Sequence, residues 1–350
     1  MRPAIFIISW MLLIGISACD SGSTFTRATG IAYEVIVVMD KAGWDSDAGE
    51  AIKSDLTSPL PYLLQEEPSM RYTYVRPDQF DGLFHYVRNI LIVNINKDMY
   101  TKATLIPEYD KWARGQCIFY LNSPNYEKIE LFLAEYPNII SRAFNDVEMN
   151  RTANFLRETY SPVVMEKVKD KFGISLNAPS DIVSFKEGDD CLWFSNDAPS
   201  GRMDLLVYSF PYTNRNQFSL DYLVAKRDQI TKKMIPGAFP GSYMSTEKRV
   251  VDYQSIKFHG EYCGVLRGLW RMEGGDMMGG PFVSYARVDV PNQRVIVTEG
   301  FVYEPQKDKR NFIRRLEASL RTTLFPDEQA DNRVETTVET AIEEPKKEEK

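Results

Sequence analysis

Histidine is nearly missing from this chain: only His85 and His259 occur in 350 residues. A helical zinc hydrolase needs an H-E-x-x-H pair, and none is present. There is no G-x-S-x-G turn to expose a serine nucleophile. No glycine-rich stretch ends in Gly-Lys-Ser/Thr, so the common phosphate loop is absent too. Cysteine is also scarce, with Cys19, Cys117, Cys191 and Cys263 too widely spaced for a zinc site. His259 precedes Cys263 by four residues, which on a strand sets them roughly 13 Å apart. That is too far for a general base and a thiol nucleophile. Positive charge is not in excess, because the net charge is −7. With −5 of it on residues 326–350, the body is close to neutral, which argues against a nucleic-acid surface.

Long apolar runs are lacking as well. The greasiest stretch, Ala4–Ile16, is shorter than the roughly 18–20 residues that span a bilayer. It follows Met1-Arg2-Pro3 and ends Ile16-Ser17-Ala18-Cys19. One positive residue, a short apolar run and small residues before a cysteine fit a secretory signal cut by lipoprotein signal peptidase. A thiol is required there because diacylglycerol is attached through a thioether. With palmitate-type chains on both thioether and amine, Cys19 would anchor stably, at about 0.8 kcal/mol per buried CH₂. The expected location is the cell envelope, outside the inner membrane, with the outer membrane favoured. Asp20 does not decide the destination.

The chain divides by composition. Residues 1–18 read as signal peptide and 19–30 as a lipidated tether. Residues 31–173 read as an α/β lobe with long C-terminal helices, and 174–325 as an α+β lobe. Residues 326–350 read as a disordered acidic tail, with nine acidic and four basic residues and no aromatic one.

Within the first lobe, Tyr33–Met39, Arg71–Val75, Asn89–Ile95 and Cys117–Leu121 have strand character. A helix is expected over Asp45–Thr57. A long helix begins after Asn122-Ser123-Pro124 and should kink at Pro137. Another, Pro162–Phe172, stops at Gly173. The second lobe offers strands at Ile182–Phe185, Cys191–Ser195 and Met203–Phe210, then a helix over Gln217–Met234. Three long strands follow, Tyr262–Met272, Phe282–Asp289 and Arg294–Tyr303, and a helix over Lys307–Leu324 closes the lobe. The fold class is α/β plus α+β: two mixed-sheet lobes with helices packed on them, the C-terminal one an antiparallel sheet. Its element order resembles the Mog1/PsbP-like fold, which implies a sheet between helices and no function.

Four strings carry a closer resemblance: Arg88–Ile95, Arg267–Ser284, Glu299–Pro305 and Lys309–Ala318. Together they resemble a family of predicted lipoproteins from gut-type Gram-negative bacteria, known only as a domain of unknown function. The resemblance covers nearly all of the body after the tether. It implies no activity, cofactor or catalytic residue.

The most unusual local feature is Gly274–Gly280 with its neighbours. Arg267, Trp270, Met272, Glu273, Asp276, Met277 and Met278 form a candidate binding loop, with glycines for mobility and thioethers for adaptable contact. The plainer reading is a flexible hairpin connection. Arg267, Arg271 and Arg287 would make an anion site if they shared a face, and otherwise a solvated, paired face. Arg310, Arg314, Arg315 and Arg321 read as the wet face of the last helix. The three body cysteines read as small buried hydrophobes; the alternative is a disulfide between Cys191 and Cys263. No cofactor, metal or nucleic acid is called for. The expected role is non-catalytic binding or scaffolding at the envelope, with the membrane as partner through Cys19 and an envelope protein as a further partner. The alternative is an envelope hydrolase built on carboxylates, with Glu273 and Asp276 as first suspects.

Overall fold

A computed structural model describes residues 26–275 and 277–330. The signal segment, Cys19, Asp276 and the tail past Ala330 lie outside the described residues. The first half runs β1 (Glu34–Val38), α1 (Lys41–Trp44), α2 (Asp47–Thr57), β2 (Arg71–Val75), β3 (Asn89–Ile95), β4 (Thr104–Tyr109), β5 (Cys117–Ser123), α3 (Tyr126–Glu135) and α4 (Ile139–Glu158). The second runs α5 (Pro162–Phe172), β6 (Ser184–Gly188), β7 (Cys191–Ser195), β8 (Arg202–Pro211), α6 (Leu220–Met234), β9 (Tyr243–Phe258), β10 (Glu261–Glu273), β11 (Gly279–Asp289), β12 (Arg294–Tyr303), α7 (Arg310–Leu320) and α8 (Pro326–Ala330).

The first sheet has the order β2-β1-β3-β5-β4, parallel except for β4. Parallel neighbours need a crossover, and α1 with α2 supplies it between β1 and β2. One sheet face packs under helices, with Val35, Val37, Leu91, Phe119 and Leu121 against Ile52, Ile129, Ile140 and Phe144. The other face, through Ile36, Val38, Ile90 and Ile118, is covered by loop side chains such as Phe80, Phe84 and Trp112. The second sheet, β6-β7-β8-β12-β11-β10-β9, is antiparallel throughout and has a core on each face.

Several expectations need correcting. Pro137 ends a helix rather than kinking one. Tyr136 leaves the helical region at φ −121° and ψ 74°, and Asn138 adopts φ 61° before α4 starts. A residue before proline is driven out of the helical region, and this one begins a new helix axis. α5 does not belong to the first lobe: Val164, Val168 and Phe172 pack in the core of the second sheet with Leu192, Leu205 and Leu320. The segment from Pro326, expected to be disordered, continues as α8 to Ala330. Its Glu328 pairs with Arg287, which is itself buried.

The two halves share an ionic interface built around α7. Arg310 and Arg314, expected on a wet face, are each only 4% exposed. Glu67 reaches from the α2–β2 loop and accepts from the backbone N–H groups of Lys309 (2.7 Å) and Arg310 (2.8 Å). It does the work of a helix N-cap, which Lys309 does not perform with its own side chain. Arg310 donates to the Pro68 carbonyl and Arg314 to the Ser69 carbonyl, each at 2.7 Å. The Arg314 guanidinium also lies 4.4 Å from the Tyr33 ring centre. Leu60 and Leu63 of the same loop pack on the second core. Helix α7 is thus buried on an apolar face by the second sheet and on a polar face by the first half.

Candidate functional site

The Gly/Met segment is a hairpin end whose residues point to different places. Trp270 is 2% exposed and packs with Phe282 and Phe301 in one core, while its indole N–H donates to the Val302 carbonyl at 3.1 Å. Arg267 projects from the opposite face of β10 and donates to Glu317 of α7 at 2.6 Å. Met272 and Met278 are half-buried against the Trp270 core, and the Met272 N–H donates to the Met278 carbonyl. Met277 alone of the three methionines is fully exposed. Asp276 lies outside the described residues. The candidate residues therefore do not form one constellation.

Gly280 has a packing role. A Cβ on Gly280 would meet the Val302 carbonyl oxygen at 2.0 Å and the Trp270 Nε1 at 3.0 Å. Only a hydrogen there lets the indole reach its acceptor across the strand. Gly274 and Gly275, at φ 87° and 121°, supply the left-handed backbone that turns the chain.

Glu273 and Arg271 do line a cleft of about 470 Å³ between α6 and the β9–β10 edge. Helix α6 contributes Asp228 and Lys232; β9 contributes Tyr243, Ser245, Thr246, Glu247 and Lys248. Its acids are all engaged. Glu273 accepts from Arg271 at 2.6 Å and from the Ser245 hydroxyl at 3.1 Å. Asp228 accepts from the Thr246 hydroxyl at 2.7 Å and from its N–H at 2.8 Å. Glu247 accepts from the side chain and backbone of Arg249, which pull its carboxyl down to about 2. The Lys232 ammonium sits 4.4 Å from the centre of the Tyr243 ring. Lys248 forms no ion pair among the described residues.

Behind the cleft lies a fully buried pair. Arg227 donates to Glu299 through Nε (3.0 Å) and Nη2 (2.8 Å), and both side chains are 0% exposed. Arg227 also donates to the Thr246 hydroxyl at 2.9 Å, so a polar chain runs from Glu299 through Thr246 to Asp228 at the cleft. The guanidinium is sandwiched further by the Phe282 ring at 3.9 Å. The arginines of β10 and β11 are instead paired one by one: Glu317 takes Arg267, Glu273 takes Arg271 and Glu328 takes Arg287. No shared anion site results.

The remaining candidates are inert by position. Cys191 and Cys263 are free and buried on opposite faces of the second sheet. Four strand spacings separate β7 from β10, roughly 19 Å. A disulfide needs Cα atoms within about 7 Å, so the bridge is excluded. Burial pushes both thiols, and that of Cys117, up to about 12. His259 is not on a strand at all: with Gly260 it makes a two-residue turn at φ 51° and 80° between β9 and β10. His85 stacks on Trp112 with ring centres 4.4 Å apart. Open α/β sheets commonly bind ligands where strand order reverses, here at the carboxyl ends of β1 and β3. That position is filled, since Tyr126 donates to Asp40 at 2.7 Å and its ring lies against Gly43.

Sequence reasoning missed Asp228, Lys232, Glu247 and Lys248. β9 carries no buried-run signal because its outer half alternates charged and exposed residues along a sheet edge. The i, i+4 pair Asp228 and Lys232 on α6 was the only sequence hint, and it reads equally as a solvated helix face.

Comparison with known proteins fits this arrangement. No curated protein matches the chain. A solved structure from Bacteroides thetaiotaomicron VPI-5482 is similar at 12% identity, with 43% of this chain and 44% of that chain covered and a TM-score of 0.17. The chain thus spans less than half the length of that structure, and the likeness is too slight to carry a fold assignment. Residues 28–157 match the family described as domain of unknown function (DUF8532), and residues 161–322 match the one described as domain of unknown function (DUF4837). The two matched stretches meet at the α4–α5 junction, the same boundary that the two cores define.

Proposed function

We propose that this protein is an envelope lipoprotein, anchored through acylated Cys19, that binds a partner or solute without transforming it. The observation that supports a binding role is the cleft between α6 and the β9–β10 edge. It holds three acids and three cations, and each acid is already satisfied by an arginine, serine or threonine donor. Such a lining is preorganised for polar recognition. The hydrolase alternative would rest on Glu273, whose bonds to Arg271 and Ser245 count against a free base. No helix among the described residues is long and apolar enough to cross a membrane.

The test is crosslinking in living cells followed by mass spectrometry, with Cys19→Ala and with the cleft variant Lys232→Ala/Lys248→Ala. The reading expects one abundant envelope partner whose recovery falls with the cleft variant, and labelled palmitate incorporation that disappears with Cys19→Ala. Unchanged recovery from the cleft variant would move binding elsewhere. Unchanged palmitate labelling in Cys19→Ala would sink the anchor.

A further inference from the structure

The first lobe carries an apolar groove of about 630 Å³ on the sheet face away from the helices. Its floor is Glu34, Ile36 and Thr73 of β1 and β2. One wall is the turn Gly82–Tyr86 with Val87, and the other is the segment from Thr26 to Ile31, where the described chain begins. Its rim is unusually greasy. Leu83 is 86% exposed, Ile31 60% and Tyr86 39%. Scattered exposed apolar residues need no explanation, but three around one groove form a patch of the kind that marks a contact surface. Arg27 and Arg114 stand beside it, bridged backbone to backbone and exposed, and neither forms an ion pair among the described residues.

The position of the groove identifies what covers it. Thr26, in its wall, follows Cys19 by seven residues, a reach of at most roughly 25 Å. If Cys19 is acylated, this end of the lobe is held within that distance of the bilayer. An apolar tip inserts into the headgroup–acyl boundary, an amphipathic tyrosine favours the interface, and arginines meet anionic headgroups. We infer that this face docks on the lipid surface, with Leu83 and Ile31 inserted and Arg27 and Arg114 on anionic headgroups. The inference rests on the anchor proposed above and adds an orientation to it. The lobe would lie on the membrane instead of swinging from its tether.

The test uses the full lipidated protein in vesicles of phosphatidylethanolamine and phosphatidylglycerol. An environment-sensitive fluorophore is attached at Leu83→Cys or, as control, at Met277→Cys; the three body cysteines are buried and stay unlabelled. The expected result is a blue-shifted emission at position 83, quenched several-fold more by nitroxide lipid than at position 277. Replacing the anionic lipid with phosphatidylcholine should weaken that difference. Flotation with the vesicles but a water-like signal at both positions would overturn the docking inference alone, and would point to a protein as the cover. Failure of the wild-type chain to float would overturn the anchor and the docking together.

Discussion

Replacing Glu67 by alanine should loosen the join between the two halves. Its carboxylate, 3% exposed, accepts from two backbone N–H groups that no residue of α7 itself satisfies. Loss of an ordinary side-chain cap costs about 1 kcal/mol. Here the acceptor is charged, it faces the positive end of the helix dipole, and the abandoned N–H groups are buried. A buried donor left unpaired costs about 1–3 kcal/mol. Water entering the space of the lost carboxylate recovers part of that, so a total near 3 kcal/mol is expected. Glu67→Gln keeps one carbonyl acceptor and should lose about half as much. Glu66→Ala, at the exposed neighbouring position, should change stability by less than about 0.5 kcal/mol. Urea unfolding followed by far-ultraviolet circular dichroism measures all three. A weakened join should also separate the transitions of the halves, seen as a lower apparent m-value. If Glu67→Ala and Glu66→Ala fall within about 0.5 kcal/mol of each other, the carboxylate is not capping α7 as described.

Three further outcomes are expected. Glu299→Ala strands the Arg227 guanidinium in the core and should cost about 3–5 kcal/mol in urea midpoint analysis, whereas the double change Glu299→Leu/Arg227→Met should recover most of it; equal losses would mean the pair is not the source. Burial raises the Glu317 carboxyl, but Arg267 and Arg321, with hydrogen bonds from Arg267 and Tyr285, outweigh it and hold it at about 2. Its folded value is depressed, so its contribution of about 3 kcal/mol is complete above about pH 4.5 and is lost as pH falls toward 2; Glu317→Gln should flatten the stability curve in that window, and an unchanged acid limb would refute the assignment. Gly280→Ala forces a Cβ against the Val302 carbonyl and should cost about 2–3 kcal/mol with a shift in tryptophan emission as the Trp270 indole loses its acceptor; a native-like melting temperature would show that the strands can part at no cost.

The fold was legible where apolar residues alternate with polar ones or run together. β2 and β3 fall on the residues expected, because Arg71–Val75 alternates and Ile90–Val93 is an apolar run. The two strands that were missed are both edges. β4 carries Pro107, tolerated only where no partner needs its N–H, and β9 is outwardly charged. Charge on a helix was read as exposure, and that failed for α7. Arginine pattern alone cannot tell water from the carbonyls of Pro68 and Ser69, since those acceptors lie more than 240 positions away in sequence. The cleft suffered in the same way, because half its lining is on β9. The Gly/Met segment drew notice for its composition, yet Gly280 answers to Trp270 packing and Gly274 and Gly275 to the turn.

The clasp between the halves has a consequence for when the molecule becomes whole. Glu67, Pro68 and Ser69 emerge early in synthesis, and the backbone and arginines they hold come near the end of the body. Until Arg314 has appeared, the early half presents an unmet carboxylate and two unmet carbonyls, and the later sheet lacks the helix that fills its inner face. Domains that fold in order from the N-terminus usually finish one at a time. Here the last turns of helix complete both, so a chain cut short before α7 should leave neither half in its final form.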